Sequence, residues 1–255
     1  MNRSGVESQN VVGLLRGTDA RRRDEYVVVS AHLDHLGIGA PIDGDRIYNG
    51  AMDNASGVAA ILEIATELHD AHQRAARSLL FVAVTGEEKG ELGSRYFAAH
   101  PTVPASSIVA NVNIDMFLPL FPLKELMVLG LDESDLGTDI RAVADQLQLK
   151  IQADPEPQRN RFIRSDQYSF IRAGIPALAM KVGYEAHSAE AEIARKWTAE
   201  RYHAPSDDLK QPIDVSAAVR YVEAVRLLAV RIASRPDRPN WNESSFFKRF
   251  RGGKS

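Results

Sequence analysis

Two adjacent carboxylates, Glu87 and Glu88, follow directly on the apolar run Leu79 to Val84, in the segment TGEEKGEL. An acidic pair is ordinary in a turn or at the start of a helix, where the macrodipole favours negative charge. Other apolar runs lead into residues of the same chemical kind. Val27-Val28-Val29 opens onto SAHLDHLG, with His32 and Asp34. Asp53 stands in NGAMDNASG ahead of a helical pattern, and Ile108 to Ile114 runs into Asp115. RYHAPSDD supplies Tyr202 and His203 before the last helical pattern. A lone histidine is more often a satisfied loop or core residue than a ligand, so His69, His72, His100 and His187 are set aside, and His35 with them. Convergence is a different matter. Carboxylates gathered at one place repel one another unless cations lie between them, so His32, Asp53, Glu87, Glu88, Asp115 and His203 together point to bound divalent metal.

Those residues need elements to carry them. Tyr26 to Val29 and Leu79 to Val84 read as strands covered on both faces, and Ile108 to Ile114 and Ala177 to Val182 read similarly with more alternation. Ser56 to His69 has apolar residues at helical spacing, with Ser56 placed to cap it; Leu136 to Leu149 and Val215 to Ile232 are further amphipathic helices. Strands alternating with helices predict a three-layer α/β/α fold around a mixed, mainly parallel central sheet. In such sheets ligands bind beyond the carboxyl ends of the strands, where the candidate residues stand.

The chain has 255 residues, 44% of them hydrophobic and 25% charged, enough for one large α/β domain. We read residues 1–235 as a single catalytic domain. Residues 236–255 read as a flexible tail, Pro-broken and basic, although Trp241, Phe246, Phe247 and Phe250 could dock. Gly183 to Ala199 reads as a polar excursion. A formal charge of -3 argues against a nucleic-acid partner. No apolar run approaches the ~20 residues of a membrane span, and MNRSGVESQN lacks the apolar core of a secretory signal. With no cysteine, disulfides, thiolate metal sites and cysteine nucleophiles are excluded. Any metal is held by His, Asp and Glu, a donor set that suits zinc, cobalt or manganese.

The motifs SAHLDHLG, IYNGAMDNASGVAA, TGEEKGELGS, NIDM, RSDQYSFIRAGIPAL and RYHAPSDD resemble those of the co-catalytic zinc exopeptidases, which include bacterial leucyl aminopeptidases, aminopeptidase Y and glutamate carboxypeptidase. The resemblance runs from about Val27 to Asp208, in the family's order. It implies two metal ions, most simply zinc, that share Asp53 and a water between them. His32 and Asp115 would complete one site, Glu88 and His203 the other. Asp34 would orient the His32 imidazole by a hydrogen bond. Glu87 would be the general base, Tyr202 an oxyanion donor, and the Asp53–Asn54 peptide cis. Peptides would be the substrates, cleaved at the N-terminal bond.

This sequence departs from the pattern at Gln167, where many relatives carry His, and at Phe162, where leucyl aminopeptidases carry Tyr. Upstream segments that relatives use as a pro-region or lid have no counterpart before Asn10-Val11-Val12, which implies an open site. Arg159, Arg161 and Arg164 border a family motif. Arg164 and Gln167 are the candidates for substrate contact, and cations there would suit a dipeptidase or carboxypeptidase. A single-zinc glutaminyl cyclase is the other alternative.

Overall fold

The computed structural model describes residues 7–252; residues 1–6 of the segment read for a secretory signal, and 253–255 at the end of the expected tail, lie outside them. The strands are β1 (Val11–Leu15), β2 (Tyr26–His32), β3 (Gly37–Ile42), β4 (Asp45–Tyr48), β5 (Ser78–Val84), β6 (Ile108–Asn113), β7 (Glu125–Leu129), β8 (Lys150–Ala153) and β9 (Ala177–Val182). The helices are α1 (Ser56–Asp70), α2 (Leu92–Ala99), α3 (Leu136–Leu147), α4 (Gln167–Arg172), α5 (Ala189–Arg201) and α6 (Val215–Ser234).

Seven strands form one sheet in the order β1-β5-β2-β6-β9-β7-β8, and β3 and β4 form a separate hairpin. The middle of the sheet, β5-β2-β6-β9, is parallel. β1 pairs antiparallel with β5 at one edge, and β7 antiparallel with β9 toward the other. Side chains alternate across a strand, and that alternation divides the core. Val27, Val29 and Ala31 share one face with Ile61 and Ile64 of α1, Ile140 and Val143 of α3, and Tyr221 and Leu228 of α6. Val28, Leu80 and Val82 face the other way, against Phe97 of α2 and Phe170 of α4. The architecture is the three-layer α/β/α arrangement expected.

Two local readings need correction. Ser56 does not cap α1: its hydroxyl donates to the Met52 carbonyl, and the Asn54 side chain accepts from the Gly57 amide instead. The stretch read as a polar excursion contains α5, whose amino end is capped by Ser188 accepting from the Ala191 amide. The sequence AEAEIARKWTAER is polar nearly all round, and Ala194 and Trp197 alone are buried, so no apolar stripe marks it.

The C-terminal segment, expected to be flexible, is docked as far as it is described. Arg77 is buried and donates to the carbonyls of Arg235 and Pro236 while Glu25 takes its Nε at 2.6 Å. Trp241 is 4% exposed, and its indole donates to the Gly174 carbonyl at 3.0 Å. Phe247 and Phe250 pack beside it against Ile171 and Ala177. Proline and basic residues suggested disorder, but buried aromatic area outweighs them. Replacing Trp241 with Ala should therefore cost about 3–5 kcal/mol, the usual range for a buried large aromatic. Denaturant unfolding measures it; an unchanged midpoint would mean that the segment does not dock.

Candidate metal centre and active site

β2 delivers His32 to the carboxyl edge of the sheet, with its side chain fully buried. Its Nδ1 lies 2.9 Å from the main-chain carbonyl of Asp34. A carbonyl only accepts, so Nδ1 carries the proton and Nε2 is left facing the site. The orienting contact expected of Asp34 is thus made by its backbone and not by its carboxylate. That carboxylate instead accepts from the Gly86 amide at 2.7 Å and the Thr85 hydroxyl at 2.6 Å. It shapes the turn after β5 that carries Glu87 and Glu88, which the chain enters through Gly86 at φ 68.

Asp53 lies in the turn before α1. Its own amide and that of Met52 donate to the buried carboxylate of Asp207 at 3.0 and 2.8 Å, and the Asp53–Asn54 peptide is cis. Asp115 follows β6, and His203 follows α5. The two carboxylate oxygens of Asp53 face different partners. Oδ1 is 3.1 Å from His32 Nε2, which is also 3.6 Å from Asp115 Oδ1. Oδ2 is 3.4 Å from His203 Nε2, which is also 3.2 Å from Glu88 Oε2. His35, set aside in the sequence, belongs to this second group: its Nδ1 is 2.9 Å from Glu88 Oε1 and 3.9 Å from Asp53 Oδ2.

The donors fit a divalent cation. Among the described residues, His35 Nε2 is buried without a partner, while His32 Nε2 and His35 Nδ1 face carboxylate oxygens at 3.1 and 2.9 Å with no well-directed hydrogen bond. Buried polar groups are rarely left so. Nitrogen and carboxylate donors that face one another at 3–4 Å are what zinc or a similar ion coordinates. The titration behaviour carries the same message. Burial opposes charge on His32, but Asp115 and Asp53 override it and push the imidazole up to about 12. Close Asp53 and Glu88 push His203 up to about 10. Burial works to raise Glu88, yet His203 and His35 bring it down to about 2. Glu87 has no imidazole of its own to pair with; burial first, then Asp115, pushes it up to about 9.

A cavity of about 240 Å³ opens over these groups. Asp53, Glu87, Glu88, Asp115, Tyr202 and His203 line it, together with Met127, Leu129, Arg164 and Lys181. Arg159 and Arg161 are committed to Glu156 and Asp154. Gln167 also lines the cavity, but its amide is spent within the protein, accepting from Asn113 and donating to the Phe162 carbonyl, both at 2.9 Å. The Phe162 ring packs against Phe247.

Residues 10–229 match the sequence profile of Peptidase family M28. The chain belongs to that family. It is 34% identical over 111 residues, 44% of its length, to a "Probable zinc metalloprotease" of Pyrenophora teres f. teres, covering 23% of that protein. It is 30% identical over 122 residues, 47% of its length, to Carboxypeptidase Q of Xenopus laevis, covering 24%. Among solved structures, the zinc aminopeptidase of Bacillus subtilis aligns at TM-score 0.67 and 24% identity, over 89% of this chain and 51% of that one. The LapA aminopeptidase of Legionella pneumophila aligns at 0.67 and 21%, over 89% and 56%. This M28 chain thus spans about a quarter of the curated relatives and about half of the solved ones.

Sequence reasoning passed over His35, Asp207 and Lys181, and also Asp166. The Asp166 side chain is fully buried and neither carboxylate oxygen has a hydrogen-bond partner among the described residues. Burial, with Ser94 and His32 opposing and Asp115 adding, pushes it from 3.8 up to about 7. The folded state therefore favours the neutral acid, whereas the unfolded chain ionises near the ordinary value. Stability contributed at acid pH is lost as pH rises from about 4 to about 7, by up to about 4 kcal/mol. In the metal-free protein, Asp166→Asn should flatten that slope in denaturant titrations between pH 4 and 8; an unchanged slope would rule out the buried neutral acid.

Proposed function

We propose that this M28 chain is a metal-dependent aminopeptidase, with His32, Asp53 and Asp115 holding one divalent ion and Asp53, Glu88 and His203 a second, zinc being the favoured metal. The observation that carries the reading is Asp53, whose two oxygens face separate imidazoles at 3.1 and 3.4 Å. The names of the relatives, zinc aminopeptidase and zinc metalloprotease among them, support it. Bound divalent ions would polarise the scissile carbonyl and lower the pKa of an attacking water.

The protein's own groups then do the following. Glu87, beside the ligands but outside both groups, accepts the proton of the attacking water and returns it to the leaving amine. Its preference for the proton in the absence of cations fits a group meant to pass one on. Tyr202 lines the cavity beside His203, ring against ring at 3.8 Å, and its hydroxyl supplies a donor to the developing oxyanion. The Asp34 carbonyl keeps His32 in the tautomer whose Nε2 faces the site. Peptides are the substrates, and we take residues 7–235 with the docked segment behind them as one catalytic unit. Glu87→Gln should lower kcat by about 10²–10⁴-fold while metal content by elemental analysis stays the same. Retention of more than a tenth of the activity would refute the base assignment.

One observation favours a second reading, cleavage at the carboxyl end. Lys181 interrupts the otherwise apolar β9 and faces the cavity. Like Arg164, it makes no ion pair among the described residues. Two free cations suit a substrate carboxylate, and one relative is named Carboxypeptidase Q. A panel of amino-acid anilides and N-blocked dipeptides, assayed with added zinc, cobalt or manganese, separates the two. Cleavage confined to free-amine substrates is the expected result, and turnover of blocked dipeptides that Lys181→Met abolishes would establish the second reading instead.

A further inference from the structure

We propose that His35 is a third imidazole of the metal centre, a direct ligand through Nδ1 on the side formed by Asp53, Glu88 and His203. The inference rests on the metal-binding reading above and adds a donor to it.

His35 has the features of the expected ligands and lacks those of a structural histidine. Its side chain is 5% exposed. A buried histidine that serves packing alone finds a hydrogen bond for at least one ring nitrogen; His35 Nε2 has no partner, and Nδ1 faces Glu88 Oε1 at 2.9 Å with no well-directed hydrogen bond between them. His32 Nε2 faces Asp53 Oδ1 at 3.1 Å in the same way. The separations suit a shared ion. His35 Nδ1, Asp53 and Glu88 each offer an atom within 4.8 Å of the others, and ligands about 2.0–2.2 Å from one cation stand about 3–4 Å apart. The rings of His35 and His203 meet edge to face, with centroids 5.4 Å apart, so two imidazoles approach the group from different directions.

The backbone is built to hold His35 there. Gly50 sits at φ 66, and a Cβ on it would fall 2.5 Å from the Cβ of His35 and 2.3 Å from the Asp53 carbonyl. Only glycine lets the loop carrying Asp53 close against His35. Asp34, one residue earlier, is tied by its carboxylate to Gly86 and Thr85, at the base of the turn that carries Glu88. His35 is thus pinned to both loops whose carboxylates it would join on the metal.

The result is an asymmetric centre. His32, Asp53 and Asp115 form one group and His35, Asp53 and Glu88 another, and His203 Nε2 would join the second as a fourth donor, 3.2 Å from Glu88 Oε2 and 3.4 Å from Asp53 Oδ2. Four protein donors fill a tetrahedral shell, whereas three leave a position open for water or substrate. The two ions should bind unequally, the first equivalent going to the His35 side.

The test uses metal-free full chain titrated with zinc or cobalt, followed by calorimetry and chelator competition. Two classes of site are expected, and His35→Ala should weaken the tighter class by more than the roughly 10–100-fold that loss of a residue acting behind a ligand costs, with the weaker class little changed. Because that variant could misfold, the wild-type protein provides a second readout: on adding zinc, the ¹⁵N resonances of three imidazoles, His32, His35 and His203, should take metal-bound shifts. If only two imidazoles respond, or the variant titrates like the wild type, His35 is not a ligand, although the enzyme reading survives. If no metal binds at either class, both proposals fall.

Discussion

Mutual repulsion among carboxylates is the constraint on which this structure turns. Asp53, the adjacent pair Glu87 and Glu88, and Asp115 come from three separate stretches of chain and converge on one partly buried cavity. Nothing in the packing of an α/β sandwich requires that. At low effective dielectric the cost of such a cluster grows steeply as water is withdrawn. The imidazoles that meet it take up protons far more strongly than free histidine does. The convergence of these carboxylates favours positive charge among them, and affinity for a divalent cation follows from the same geometry.

Positions in the centre are held from behind by groups that never face it. Asp207 grips the backbone of Met52 and Asp53, and Asp34 grips the amide of Gly86. The Asn113 side chain, at the end of β6, ties Ser165 and Gln167 beside Asp115. The two carboxylates accept from loop amides and the Asn113 amide donates to side-chain oxygens, so polar groups that an irregular loop would otherwise leave unpaired are satisfied. Loops at a sheet edge cannot borrow ladder hydrogen bonds, so fixed side chains supply the rigidity.

Much of this was legible in the sequence because strand ends are legible. Apolar runs such as Leu79 to Val84 mark where a buried strand stops, and the residue types that follow, Glu87 and Glu88, have no reason to be there for packing alone. His32 and Asp115 were found the same way, Asp53 and His203 from loops ahead of helical patterns, and the structure brings all of them together. What escaped notice lacked a local signature. α5 has no apolar stripe. The role of Asp34 passes through its carbonyl, which every residue possesses. Asp207 acts on partners more than 150 positions away in the chain. His35 looked like any loop histidine until its burial and unpartnered Nε2 were known. The docked C-terminal segment reads as polar in composition, and its order comes from Trp241 meeting Gly174, a contact that composition does not encode.

The clamp between Asp207 and the Met52–Asp53 backbone has a consequence for biosynthesis. A ribosome emits the amino-terminal loops long before residue 207 clears the exit tunnel, and α6, which covers one face of the sheet, comes later still. Until then Asp53 has no anchor and His203 has not arrived. The centre is therefore assembled only when the final quarter of the chain folds back onto what was made first.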